Sequence, residues 1–186
     1  MFDAVDHGLS PPSPGITLRK EPMQNAKDTF YITLQQRLAA LNPSRTLVLR
    51  GIVRPGTLVD ENELPTACVP MDTFRLQWTR LQVTNTSPLR LITMECAIHY
   101  ATDGSAGKGG MDRGRALAAM DTELASALAA EPHEVPKMNY AAVPPTAMAT
   151  NIFWSDPVFG ATTTLDERLS RIATVQVFAY QEAGEL

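Results

Sequence analysis

The chain has 186 residues, of which 44% are hydrophobic and 19% are charged. This length and composition predict one globular domain and exclude a coiled-coil rod or a wholly disordered chain. The formal net charge of -4 argues against a general nucleic-acid binder, and two cysteines are too few for a disulfide framework.

An extended arm is predicted for residues 1 to 21, followed by a single domain over 22 to 182 and a tail over 183 to 186. The prolines at the start of the chain interrupt any regular period, so a disordered tail is one interpretation of the arm. The other is that the arm packs on a neighbouring subunit, because it is more apolar than a solvated tail requires. The apolar residues expected to make that contact include Phe2, Val5, Leu9 and Ile16.

The first predicted helix runs from Met23 to Leu41, where apolar residues recur at steps of three and four until Asn42-Pro43 ends the pattern. A strand is predicted over Thr46 to Arg54, because this stretch is apolar and β-branched. Residues 55 to 72 are predicted to form a solvated loop. They contain the densest acidic cluster of the chain, which consists of Asp60, Glu61 and Glu63.

A long antiparallel hairpin is predicted next. Apolar residues alternate with polar residues from Phe74, and this alternation shifts by one residue at Leu81, which predicts a β-bulge. The second strand of the hairpin is predicted from Leu89 to Ala101. A glycine-rich loop follows over 102 to 110. We expect this loop and the start of the next helix to contact a neighbouring subunit, through Gly104, Lys108 and Arg113.

The second helix is predicted to be capped by Asp112 and to bury one face. That face consists of Leu117, Met120, Leu124 and Leu128. Irregular chain is predicted over 131 to 150, then a short strand over Ile152 to Trp154 and a final strand over Arg171 to Gln181. The predicted fold class is therefore α+β, with a mostly antiparallel sheet containing a long hairpin, flanked by two amphipathic helices.

No catalytic, metal or cofactor site is predicted. The glycine loop around Lys108 lacks the spacing and the hydroxyl of a phosphate loop. Cys96 and His99 are three apart, which on one strand places them on opposite faces, so Cys96 is interpreted as a core residue. A hydrolase could pair His99 with Asp103 and a serine, but the sequence has no Gly-x-Ser-x-Gly nucleophile elbow, and Ser105 lies in the glycine-rich loop. Apolar runs are too short for a spanning helix, and no membrane partner is expected.

The arrangement of these segments resembles the tail terminator proteins of long-tailed bacteriophages. The resemblance covers roughly residues 22 to 182 and depends on the first helix, the hairpin from Phe74 to Tyr100, the helix opening at Met111 and the last strand from Ala173 to Tyr180. It implies a structural virion protein, assembled in the host cytoplasm, that forms a hexameric ring on the tail tube, stops tube growth and joins the tail to the head connector or stopper. DNA would pass through the ring without specific binding, and Asp60, Glu61 and Glu63 would approach that channel.

Two alternatives remain open from the sequence. One is another neck or head-closure protein, or the terminator of a contractile particle. The other belongs to a different class: a small cytoplasmic enzyme or a ligand-binding module that uses the groove between the second helix and the sheet.

Overall fold

The computed structural model describes residues 23–61, 69–85, 89–104, 111–165, 167–183 and 185. Within these residues the chain forms two helices and ten strands. In chain order they are α1 (Gln24–Leu41), β1 (Thr46–Leu49), β2 (Ile52–Pro55), β3 (Thr57–Val59), β4 (Phe74–Asn85), β5 (Arg90–Thr102), α2 (Asp112–Ala129), β6 (Glu134–Asn139), β7 (Thr146–Trp154), β8 (Val158–Phe159), β9 (Thr163–Leu165) and β10 (Arg168–Tyr180).

Eight strands form one mostly antiparallel sheet in the order β3-β4-β5-β10-β7-β6, with β8 and β9 also paired to β10. The long central strands β5 and β10 are antiparallel from Leu169 opposite Thr102 to Tyr180 opposite Leu91. Strand β3 runs parallel to β4. Two helices and a mostly antiparallel sheet confirm the α+β class predicted from the sequence.

The core lies between one face of this sheet and the two helices. The four α2 residues predicted to face the core are all buried, as are Phe30, Leu34 and Leu38 of α1. The Phe30 ring packs edge-on against Trp154 of β7, with centroids 5.8 Å apart. On the sheet side the core consists of alternate residues of the central strands: Phe74, Leu76, Ile92, Met94, Cys96, Ile98, Tyr100, Ala173, Val175, Val177 and Ala179. Cys96 is therefore a core residue, as predicted.

The predicted bulge in β4 is confirmed. The register with β5 shifts between Trp78 and Arg80, so Thr79 is the extra residue. Before the bulge Phe74 and Leu76 are fully buried, whereas after it all of β4 is exposed. The phase shift in the sequence therefore marks the point where β4 leaves the core.

Three regions differ from the sequence-based predictions. The strand predicted over Thr46 to Arg54 is two short strands, β1 and β2, paired to each other in a separate two-stranded sheet. The loop predicted over 55 to 72 contains the buried strand β3, a short β-branched run between proline and acidic residues. The irregular stretch predicted over 131 to 150 contains β6 and most of β7.

The predicted cap of α2 is also different. The residue before the helix is Met111, with no side-chain cap hydrogen bond, and Asp112 is the first helical residue. A carboxylate there still favours the helix through the positive end of its dipole. Across the described ranges, no helix is both long and apolar enough to cross a membrane.

Candidate assembly surface

The hairpin of β1 and β2 is the most exposed apolar element in the described part of the chain. Its register places Val48 opposite Val53 and Leu49 opposite Ile52. Val48, Ile52 and Val53 are 68%, 67% and 66% exposed. A lone two-stranded hairpin is marginally stable in water, and adjacent exposed apolar residues typically mark an interaction site. We refer to Thr46–Pro55 as the apolar hairpin.

The base of the apolar hairpin is tied to the domain through two arginines. Arg45 forms a bidentate ion pair with Glu123 of α2, at 2.7 and 2.8 Å, and this pairing lowers the pKa of Glu123 against the effect of burial, which alone would raise it. Arg54 donates to the hydroxyl of Tyr31 at 2.5 Å and to the carbonyl of Thr57 at 3.3 Å. The hairpin therefore projects from a fixed base.

The tip of the apolar hairpin is a two-residue turn. Arg50 and Gly51 both have positive φ, at 50° and 78°, as a type I′ turn requires. Asparagine, aspartate or glycine usually occupies the first of these positions, and an arginine there carries backbone strain. The sequence signal was available, since Arg50-Gly51 separates two pairs of apolar residues. It was missed because the run was interpreted as one strand.

An open groove of about 530 Å³ lies at the β6 and β7 end of the sheet. Phe153 and Trp154 provide its aromatic part, and Pro132 and His133 complete the wall. The carboxylates of Glu131 and Glu134 are exposed at its rim. We refer to these six lining residues as the acidic groove.

Arg37 of α1 holds the wall of the acidic groove in place. Its guanidinium lies 4.9 Å from the centroid of the Trp154 ring and donates to the carbonyls of Ala127, Ala130 and Pro132 at 3.1, 2.7 and 2.8 Å. These carbonyls are the unpaired acceptors at and after the end of α2, so Arg37 caps that helix. Burial lowers the pKa of Arg37.

The central titratable groups take part in contacts between secondary-structure elements. The Tyr100 hydroxyl donates to Asp121 of α2 at 2.5 Å, and Arg171 of β10 donates to the other oxygen of the same carboxylate at 2.5 Å. Burial and Asp121 raise the pKa of Tyr100. His99 forms a hydrogen bond with Gln77 at 3.2 Å, and burial, followed by nearby Arg75, lowers its pKa. These contacts join β5 to its neighbours.

Two residues of the predicted acidic cluster form ion pairs. Asp60 pairs with Arg75 of β4, with one contact of 2.8 Å, and Glu61 pairs with Lys27 of α1 at 2.5 Å. Glu63 lies outside the described residues. The charges of Asp60 and Glu61 are thus locally neutralised, and both carboxylates hold the region after β3 against the domain. Whether they approach a channel stays a prediction.

Of the residues predicted to contact a neighbouring subunit, the structure brings Gly104 and Arg113 together. Gly104 follows β5 with φ of 72°, and a Cβ atom there would come within 2.8 Å of the Arg113 side chain. Arg113 is 3.4 Å from Glu167, whose side chain is strongly exposed. Lys108 and the arm residues Phe2, Val5, Leu9 and Ile16 lie outside the described residues.

In the part of the chain that the structure describes, no group of three or more His, Cys, Asp or Glu side chains could hold a metal ion. The apolar hairpin and the acidic groove are the candidate functional surfaces of the described residues. Comparison with known protein families and with curated protein sequences gives no match to this chain.

Proposed function

We propose that this chain is a structural protein that assembles into a hexameric ring, as the tail terminators that it resembles do. In that role it caps the tail tube of a virion, ends tube polymerisation and joins the tail to the head connector. The observation that carries the proposal is the apolar hairpin, which presents three strongly exposed aliphatic residues on a fixed base.

The arrangement supports a partner-binding role for the hairpin. Single exposed apolar residues are normal on a protein surface, but a contiguous group on a projecting element is typical of an interaction site. Here Val48 and Val53 are cross-strand neighbours on one face of the hairpin, and Ile52, opposite Leu49, lies on the other face. Fixing the base of the hairpin in advance reduces the entropy lost on binding.

The direct test is to measure the mass of the purified chain by native mass spectrometry and to image it by negative stain. The proposal expects a species of six times the chain mass that appears as a ring, and it expects added rings to shorten tail tubes grown in their presence. A chain that stays monomeric at every concentration and leaves tube length unchanged would overturn it.

A second candidate is a ligand-binding module, which the acidic groove favours. Its volume is in the range of small-molecule sites, about 300 to 1,000 Å³, and the half-buried ring of Phe153 would stack on a planar ligand next to Trp154. Changes in the fluorescence of Trp154, measured in a Trp78→Phe background against a panel of small cationic aromatic compounds, would test it. Saturable quenching lost in Phe153→Ala would favour this function.

A further inference from the structure

We infer that the apolar hairpin of one subunit binds in the acidic groove of a second copy of the chain, head to tail. This inference builds on the proposed ring and names the two surfaces that form its repeating contact. It starts from two surfaces that the described chain leaves open, at different places in the same molecule.

Charge complementarity identifies the partner surface. From Asn42 to Val59 the sequence has three arginines and no acidic residue. Arg45 and Arg54 are used at the base of the hairpin, whereas Arg50 is exposed at its tip. The acidic groove carries Glu131, with 82% of its side chain exposed, and the exposed Glu134. A basic tip entering an acidic rim is attractive, and two like surfaces meeting would be repulsive.

The apolar parts also match. Behind the charged tip the hairpin carries Val48 and Val53, and inside its charged rim the groove carries the half-buried ring of Phe153, beside the 6% of Trp154 that is exposed. Aromatic residues surrounded by polar groups are typical anchors of protein interfaces. Docking would therefore cover the valines with aromatic surface while Arg50 reaches the carboxylates.

The position of the two surfaces makes the contact heterologous. The apolar hairpin leads directly into β3 at one end of the strand order, and the groove is formed at the β7 and β6 end. A contact between two different surfaces leaves one of each unused in a dimer, so it propagates. It closes into a ring when the rotation between neighbours closes and otherwise forms an open filament. This is the type of contact that the proposed hexamer needs.

The tip residue supports this assignment. Arg50 lies at φ of 50°, a position where asparagine or glycine would be less strained. Arginine at this position keeps a cation at the tip of the hairpin in spite of the strained backbone. Asn at this position should therefore stabilise the folded monomer while weakening the contact.

The first experiment compares charge variants of the full chain by sedimentation velocity. Arg50→Glu should weaken self-association by roughly 100-fold, since it places like charges together. Glu134→Arg should do the same, and the double variant that exchanges both charges should recover most of the affinity. Arg50→Asn serves as the folding control, with a melting temperature at or above that of the parent and weaker association.

The second experiment detects the contact directly by mixing two cysteine variants, Val53→Cys and Phe153→Cys, each in a Cys68→Ser background. Disulfides should form between unlike chains and not between like chains. Rings without this cross-link, or without any effect of the charge variants, would overturn the inference and leave the proposed function standing. A cross-link and charge rescue in chains that never close into six-membered rings would support the inference and overturn the proposed ring. Persistent monomers without a cross-link would overturn both.

Discussion

A buried lysine at the end of the sheet gives the sharpest test of how the domain is held together. The Lys137 side chain of β6 has no exposed surface. Its Nζ donates to the Tyr180 carbonyl at 2.7 Å and to Glu185 at 2.7 Å, and it lies 3.2 Å from Glu182. One ammonium therefore ties β6 to the segment that follows β10.

Replacing Lys137 by methionine keeps the approximate shape and removes the charge. Glu185, only 3% exposed, would then keep the Glu182 backbone N–H at 2.8 Å and a long contact of 3.5 Å from Asn25. A buried carboxylate left without its cation costs about 3 to 5 kcal/mol. For a chain of this length the lower end of that range corresponds to a fall in melting temperature of about 6 to 12 °C.

The assay is urea and thermal unfolding followed by circular dichroism, with the parent and Lys137→Met measured side by side. The matched control is the double variant in which Glu185 also becomes glutamine. That variant should recover much of the lost stability, because it leaves no fully buried charge unpaired. A single variant that loses less than about 1 kcal/mol, or a double variant as unstable as the single, would refute this reasoning.

Three further predictions concern single positions. Gly104→Ala should destabilise the domain by about 1 to 3 kcal/mol, because φ at Gly104 is positive and the new Cβ atom would clash with Arg113. In the matched control, Gly114→Ala in α2, the new Cβ atom has no neighbour within 4 Å, and the variant should be more stable by about 0.5 to 1 kcal/mol. The denaturant midpoints of the two variants measure both effects. Burial alone would raise the pKa of Glu182, but hydrogen bonds from the Thr150 hydroxyl and from the backbone of Ala149 and Thr150 hold this pKa at about 2. The contribution of Glu182 to the free energy of unfolding is therefore present above pH 4.5 and is lost as the pH falls toward 2. A pH titration of stability should show this loss in the parent and not in Glu182→Gln. Arg37→Gln should cost about 1 to 3 kcal/mol by uncapping α2, and unchanged amide exchange at the end of α2 would contradict that role.

The elements predicted correctly are those in which one local period decides the structure. Leu117, Met120 and Leu124 recur at helical spacing, and α2 begins and ends near the predicted residues. In β10, Ala173, Val175 and later alternate residues are buried as a period of two requires. The β-bulge in β4 could also be predicted from the sequence, because the alternation of apolar residues shifts by one residue where Thr79 is inserted.

The errors have a different physical origin. Strand β6 contains Pro136 and the buried Lys137, and β7 begins with small and polar residues, so neither segment carries a strand pattern. Their pairing depends on tertiary contacts, such as the hydrogen bonds between Thr29 of α1 and the backbone of Met138. The acidic groove was not predicted because its wall depends on Arg37, which is distant in sequence from the carbonyls that it contacts. Only the folded chain brings these residues together.

The ion pairs of Asp60 and Glu61 change how the predicted channel has to be tested. Lysine at both positions would place new cations beside Arg75 and Lys27, whose side chains are 19% and 8% exposed. We expect the variant with lysine at Asp60, Glu61 and Glu63 to lose about 2 to 4 kcal/mol, because two partly buried pairs become repulsive. Exchanging the partners instead, with Asp60→Arg and Arg75→Asp, preserves the attraction and should recover most of the stability of that pair. Urea unfolding of the parent and both variants measures these differences in the free energy of unfolding.

If the triple-lysine variant is as stable as the parent, the two carboxylates contribute little to the fold. If it is destabilised as expected, DNA retention at low salt should be compared with Glu63→Lys alone, so that a gain in phosphate binding is not confused with partial unfolding.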